Sequence, residues 1–331
     1  MDRLDSAGRA GIVLLVAVLS AAAGWMLFVE LPTTTAELVG ILLLLATVVA
    51  GLRFGGSIAS RVFPTYNTAE VAVSGPITRD GDGGFPPSSP TTPGADDIVE
   101  LIEQADEDDN TEALVVRLNT PGGAVVPSDD IRLAAKRFDG PTIAYATDVC
   151  ASGGYWIASG CDELWARNGS IVGSIGVRGS RITAADLLDE VGLSYEQLTA
   201  GEFKEAGVPL KEMDDDERAY LQGIVDDYYD QFVETVADGR GTDPESIRDT
   251  EARVYLGETA AEMGLVDEIG TREAVEDRLE ELLGEEPEIE ELQPQQGITG
   301  RIRAGAERVA YAAGAGIGSI VSEDGEFRLR V

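Results

Sequence analysis

The 331-residue chain carries 60 acidic and 25 basic side chains and no histidine, for a net charge of −35. The missing imidazole removes the Ser-His-Asp triad, the Cys-His dyad and the H-E-x-x-H zinc site together, and the absence of a basic face removes nucleic acid as a partner. With 44% apolar residues and clear periodic segments, this is a folded acidic protein suited to concentrated salt, which screens its self-repulsion, rather than a disordered acidic chain.

In chain order, a short tail (1–10) precedes the uncharged run Gly11–Val29, long enough for a bilayer, which needs about 20 residues. A second, shorter apolar run, Leu38–Leu52, either spans as well or lies in the interface. Arg3 and Arg9 precede the first run, Arg53 and Arg61 follow the second, and the connection carries Glu30 and Glu37. Two spans would therefore put both ends in the cytoplasm, and one span would put the body outside. The expected location is the cell membrane, with the side left open.

After a linker (53–68), a single α/β domain is expected over 69–284. Ala69–Ile77 reads as a first strand, Thr78–Gly94 as a mobile Gly/Pro/Ser/Thr loop and Ala95–Ala105 as a helix. Ala113–Leu118 reads as a buried strand ending in N-T-P-G-G, Ser128–Phe138 as a helix starting near Pro127 or Ser128, and Thr142–Ala146 as a strand. Glu163–Ala166, Ile171–Val177 and Leu193–Leu198 read as short strands, with a helix at Thr183–Val191 capped by Thr183. Asp214–Asp238 is a long helix whose acidic start suits its positive end. Helical pieces come next at Gly257–Met263 and Thr271–Leu283. This alternation implies a largely parallel sheet. The rest (285–331) is an acidic linker, Glu285–Gln296, and a tail rich in Ala and Gly.

The stretch V-C-A-S-G-G-Y-W-I-A-S, Val149–Ser159, places Ser152 before two glycines and an apolar helical run. A serine at a strand-to-helix turn can expose its hydroxyl and aim the next backbone N–H at the group it attacks; S-G-G is also an ordinary turn. Without histidine, the base for such a serine would be an unprotonated lysine. There are three lysines: Lys136, Lys204 and Lys211. Lys136, beside Arg137, reads as solvated. Lys204, between Glu202 and Glu205, reads locally as a surface residue. An exposed lysine titrates near about 10.4, so a lysine base must be desolvated. Cys150 and Cys161 are too few for a disulfide framework or a zinc site and read as buried thiols. No metal or cofactor is expected.

Four ordered stretches, L-N-T-P-G-G (118–123), C-A-S-G-G-Y (150–155), G-S-I-G-V (173–177) and G-E-F-K-E-A-G (201–207), resemble the signal peptide peptidase A family of membrane-bound Ser–Lys proteases. The resemblance covers about two thirds of the chain. It implies an α/β Clp protease/crotonase-like fold with repeated β-β-α units, Ser152 as nucleophile and Lys204 as general base, with Lys211 the fallback. It also implies Gly123 and Gly153 N–H groups as the oxyanion site, Ser174 orienting the lysine, and a ring-like homo-oligomer. The implied function is a membrane-anchored serine endopeptidase for hydrophobic peptides such as released signal peptides, held to lipid by its N-terminal segments. The family pattern has Ala in place of Cys150 and Ser in place of Thr120; neither change touches a catalytic atom.

Three other functions fit parts of the same pattern. A related membrane protease would cut a partner membrane protein. A crotonase-like acyl-CoA enzyme would use the two backbone donors without Ser152 or Lys204. A catalytically silent scaffold would need none of them. The Y-A-A-G-A-G-I-G-S stretch, Tyr311–Ser319, has the small residues of a signal-peptide end and is expected to enter an active site as an inhibitor or self-cleavage substrate.

Overall fold

The structure, a computed structural model, describes residues 2–26, 44, 46–53, 55, 66–81 and 93–294. By contacts the chain divides into residues 1–291 and 292–331. Of the second unit only residues 292–294 are described, so Tyr311–Ser319 lies outside the described residues.

Helix α1 spans Asp2–Trp25 and a second helix, α2, is described over 46–53. A Cβ on Gly51 would fall 2.0 Å from Ser20 Oγ, and one on Gly55 would fall 3.1 Å from Val16 Cβ. The two helices therefore run antiparallel in near-backbone contact, which small residues permit. Among the described residues no helix is long and apolar enough to cross a membrane. Within the described part of α1, Asp2, Arg3, Asp5 and Arg9 occupy the first turns, and residues 10–25 are uncharged. That is about 24 Å of helix against a hydrocarbon core of about 30 Å. The expected spans 11–29 and 38–52 both run on into residues outside the described set.

The body is an eight-stranded mixed sheet. Its strands are β1 (Thr68–Ser74), β2 (Ala113–Thr120), β3 (Thr142–Ala151), β4 (Glu163–Ala166), β5 (Ile171–Gly173), β6 (Val254–Leu256), β7 (Glu268–Ile269) and β8 (Ile289–Leu292). The order is β6-β5-β3-β2-β1-β8, with β4 also beside β3 and β7 beside β4. β1 to β5 and β7 pair in parallel, and β6 runs antiparallel to β5. Helices α3 (Ala95–Asp106) and α4 (Val125–Arg137) make the crossovers between the first three strands. The implied β-β-α unit occurs as β4, β5 and α6 (Ala185–Glu190); elsewhere strand and helix mostly alternate, with the short helices α8 (Pro244–Arg248) and α9 (Gly257–Glu262) on either side of β6.

The central strands are nearly continuous apolar runs because helices cover the sheet. Val71, Leu114, Val116, Leu118 and Ile143 are fully buried. Over one region of the sheet, Val275 and Leu279 of α10 (Arg272–Leu283) pack with Val115, Tyr145 and Trp165. There the buried Glu70 receives Arg117 (2.7 Å) and Arg272, so its charge is matched.

Strand β3 directs the rest. Its first half pairs with β4 and its second with β5, and its register with β2 slips between Leu118↔Ala146 and Thr120↔Cys150. The buried Ser170 hydroxyl lies between Ala146 O and Thr147 O, at 2.9 and 2.8 Å, where the two partner strands separate. Such an irregularity bends a strand and re-aims the residues after it. In β3 the first residue past the strand is Ser152.

Several elements differ from the sequence expectation. β3 continues past Ala146 to Ala151, and α4 begins at Val125, ahead of Pro127. β5 stops at Gly173, since Gly173 and Ser174 both take positive φ. Leu193–Leu198 forms no strand; all six residues are exposed, and no strand among the described residues pairs with them. Ala184, not Thr183, is the N-cap of α6. The acidic stretch 285–296 carries β8 at its centre, fastened by Asn67 N–H to Glu288 O at 3.0 Å and by Arg117 to Glu291 at 2.7 Å.

Helix α7 (Asp215–Arg240) opens with a capping box between Asp214 and Glu217 and closes at Gly241 in the left-handed region, φ 61°. Its last residue, Arg240, is 4% exposed and pairs with Asp267, whose Oδ2 also accepts from Leu164 N–H at 2.6 Å. Arg240 Nε has no acceptor among the described residues. Asp267→Ala should therefore leave the buried guanidinium without its carboxylate and cost about 1.5–3 kcal/mol, read as a lower denaturant midpoint at constant m-value in concentrated salt.

Candidate active site

The site lies at the carboxyl ends of β2 and β3, the customary place for a site in an α/β sheet. β3 ends at Ala151, and Ser152 takes φ 53°, ψ −120° as the N-cap of α5 (Gly153–Ala158). A non-glycine residue there is strained by about 1–3 kcal/mol and persists only if its surroundings hold it. Ser152 N–H donates to Gly173 O (2.9 Å), and Ser152 O accepts the N–H of Trp156 (3.0 Å). The side chain is thereby turned out of the strand into a cavity of about 1060 Å³.

The Pro121–Gly123 turn at the end of β2 lies against it. Gly122 has φ 89°, and a Cβ there would stand 2.5 Å from Gly153 N and 2.8 Å from Ser152 Cβ. A Cβ on Gly123 would meet Ile77 O at 2.1 Å, because Gly123 pairs with Ile77 in an isolated bridge. Thr120 fixes this turn: its buried hydroxyl donates to Gly75 O (2.6 Å) and accepts from Gly122 N–H (3.0 Å). The Gly123 and Gly153 N–H groups find no acceptor among the described residues. Gly153 is the first residue of α5, whose leading N–H groups are left open by helix geometry. A site for negative charge thus sits beside the Ser152 hydroxyl.

One cavity wall comes from α7: Gln222, Val225, Tyr229 and Phe232 lie along a single helical face. Phe232 packs on Trp156 of α5, ring centroids 4.5 Å apart. Val125, Val149, Ile171 and Val254 add apolar surface. Ser174, at φ 54° and held by its N–H to Arg253 O (2.8 Å), shares the cavity with Ser152.

The structure brings together Ser152, Gly123, Gly153 and Ser174, and it does not bring Lys204 to them. Lys204 is exposed, in a turn closed by its N–H to Gly201 O (3.2 Å), and is not among the cavity-lining residues. Its neighbour Phe203 stacks on Tyr220 of α7, centroids 4.8 Å apart. Lys211 is also outside the cavity, paired with the buried Glu217 at the start of α7. Sequence reasoning missed the support given by Thr120, the α7 wall and the buried Ser128. Only Ser128 had a signal, a serine near an expected helix start.

Cys150 and Cys161 are free and fully buried around α5. Burial, aided by Asp162, pushes the Cys161 thiol up to about 12, and burial drives Cys150 upward as well. Among the described residues no cluster of His, Cys, Asp or Glu could hold a metal ion.

Residues 134–285 match the model of peptidase family S49. A Methanocaldococcus jannaschii protein named as a protease is 32% identical over 250 residues, 73% of this chain and 77% of that protein. The chain belongs to peptidase family S49. It is a serine peptidase of the signal peptide peptidase A type. An Enterococcus faecium protein named as a signal peptide peptidase SppA is 32% identical over 54% of this chain and 53% of its own length. A solved structure of a membrane-bound stomatin-specific protease, with a substrate peptide bound, is 15% identical and superposes with a TM-score of 0.46 over 73% of this chain and 98% of that one.

Three outcomes are expected of this peptidase. Gly122→Ala should lower peptide hydrolysis by about 100-fold or more, since neither the φ nor the space admits a side chain. Gly169→Ala, with nothing within 4 Å of the new Cβ, should leave hydrolysis unchanged. Iodoacetamide at neutral pH should label neither cysteine of the native protein and both after unfolding, read by intact mass.

Proposed function

We propose that the chain is a membrane-anchored endopeptidase that cuts extended, apolar peptides such as released signal peptides with a Ser152–Lys204 dyad. The observation carrying this reading is the strained Ser152 turn, which sets a hydroxyl beside two unclaimed N–H groups in a mainly apolar cavity. Ser152 Oγ attacks the scissile carbonyl carbon while its proton passes to an unprotonated Lys204 Nζ. Gly123 and Gly153 N–H groups hold the oxyanion. As the tetrahedral intermediate collapses, Lys204 gives the proton to the leaving amine, and water then releases the acyl group from Ser152 by the same route. Ser174 orients the lysine.

Lys204 reaches Ser152 from a neighbouring copy. Residues 176–216 include no buried residue, and Ile182, Leu187, Val191, Leu193 and Leu198 all stand exposed on this excursion. Such a surface requires cover. A head-to-tail contact repeated around a ring supplies it and delivers one lysine to each serine. The antiparallel α1–α2 pair, with Leu14, Leu15, Val18 and Leu19 exposed on α1, is the membrane anchor.

The test is hydrolysis of a synthetic signal peptide in concentrated salt across pH. Ser152→Ala and Lys204→Ala should each lose about 1000-fold or more in kcat, while Lys211→Ala stays active. Unfolding and refolding the two dead variants together at equal amounts should restore about a quarter of wild-type activity if sites are shared between copies. A dead mixture would place both residues of the dyad in one chain, and an active Ser152→Ala would remove the nucleophile.

A further inference from the structure

We infer that the Ser128 hydroxyl is a positioning group that holds the two oxyanion-site N–H groups at their working separation. The inference rests on Ser152 as the nucleophile and extends that reading to a residue that touches no substrate.

Ser128 lies in the first turns of α4, is completely buried, and lines the same cavity as Ser152, Gly123 and Gly153. Serine is a poorer helix former than alanine, and a buried hydroxyl costs stability unless it is bonded. Its Oγ donates to Ala124 O at 2.9 Å. That carbonyl already accepts the Ser128 N–H at 3.1 Å, so the helix does not need the second bond. The bond instead fixes the Ala124–Val125 peptide group, two peptide units past the one that carries the Gly123 N–H, at the start of α4.

The other side of the same oxygen faces α5. A Cβ on Gly153 would lie 2.4 Å from Ser128 Oγ and 3.2 Å from Gly123 N. The hydroxyl, the Gly123 amide and the Gly153 backbone therefore crowd around one point, with the hydroxyl as spacer between the two chain segments that supply the donors. Farther along, α4 and α5 are fastened independently. Asp129 Oδ1 accepts from Trp156 Nε1 and from Arg132 Nε, both at 2.8 Å. Removing the Ser128 hydroxyl thus loosens the end of the α4–α5 contact that carries the donors and leaves the remainder fixed. Donors act on a tetrahedral oxyanion only within tenths of an ångström of the right place.

The experiment compares wild type with Ser128→Ala and Ser128→Cys in peptide hydrolysis. It also measures binding of a peptide aldehyde, which forms a tetrahedral hemiacetal on Ser152 with its oxygen at the oxyanion site, and of the same peptide ending in an alcohol, which fills the cavity without that adduct. Ser128→Ala should lose about tenfold or more in kcat with KM within about twofold. Its aldehyde affinity should fall by the same factor as kcat/KM, with alcohol affinity unchanged. Ser128→Cys, which refills the space with a weaker donor, should fall between the two, and it carries the test if Ser128→Ala does not fold. Wild-type kcat and aldehyde affinity in the alanine variant overturn the inference. Equal losses of aldehyde and alcohol binding also overturn it, since the hydroxyl would then only shape the cavity. If Ser152→Ala binds the aldehyde as wild type does, the nucleophile reading has failed instead, whatever Ser128 does.

Discussion

The structure depends on one contact between two pieces of bare backbone. The turn after β2 and the turn after β3 approach so closely at Gly122 that no side-chain carbon fits between them. Parallel neighbouring strands place both turns at one edge of the sheet, and the irregularity in β3 brings the second turn round to face the first. Thr120, Ser170 and the Ile77 bridge hold the two in place. With that contact made, Ser152 has its unusual torsion and two amide hydrogens have nowhere else to point. Around it, the α4–α5 fastening through Asp129 ties the helices that follow the two turns.

How much of this could be read from the chain varied with the range of the interaction. β4 and α7 appear where their residues place them, because a short apolar strand and an Asp-x-x-Glu cap are local statements. β8 did not show, since an acidic run becomes a strand only through partners more than 170 positions away, such as Arg117 for Glu291. The reverse error came at Leu193–Leu198, where alternation resembled a strand but the residues are bare to solvent. In that segment the apolar residues stand exposed, and pattern alone does not separate the two cases.

The same division runs through the site. Glycines around a serine are readable, because the backbone approach that requires them is encoded in neighbouring residues. Ser152, Gly123, Gly153 and Ser174 accordingly gather at one cavity. The lysine is not readable in this way. Lys204 stands on a self-contained excursion tied to the start of α7 by the Phe203–Tyr220 stack, outside the cavity of its own chain. Its local sequence, between Glu202 and Glu205, reads as surface, and the structure leaves it exposed. Ser128 was hidden differently, since a serine near a helix start reads as a cap and its bond is to the carbonyl four residues back.

The cavity is built from two kinds of material, and this bears on how its selectivity can be altered. The reactive side is main chain walled in by main chain, so substitutions there add atoms where none fit. The opposing wall is a row of side chains from one face of α7, anchored at its far end by Arg240. Val225 and Tyr229 can be exchanged along that row without disturbing a backbone amide. Redesign of the enzyme for other peptides therefore has a natural library in a few helix positions.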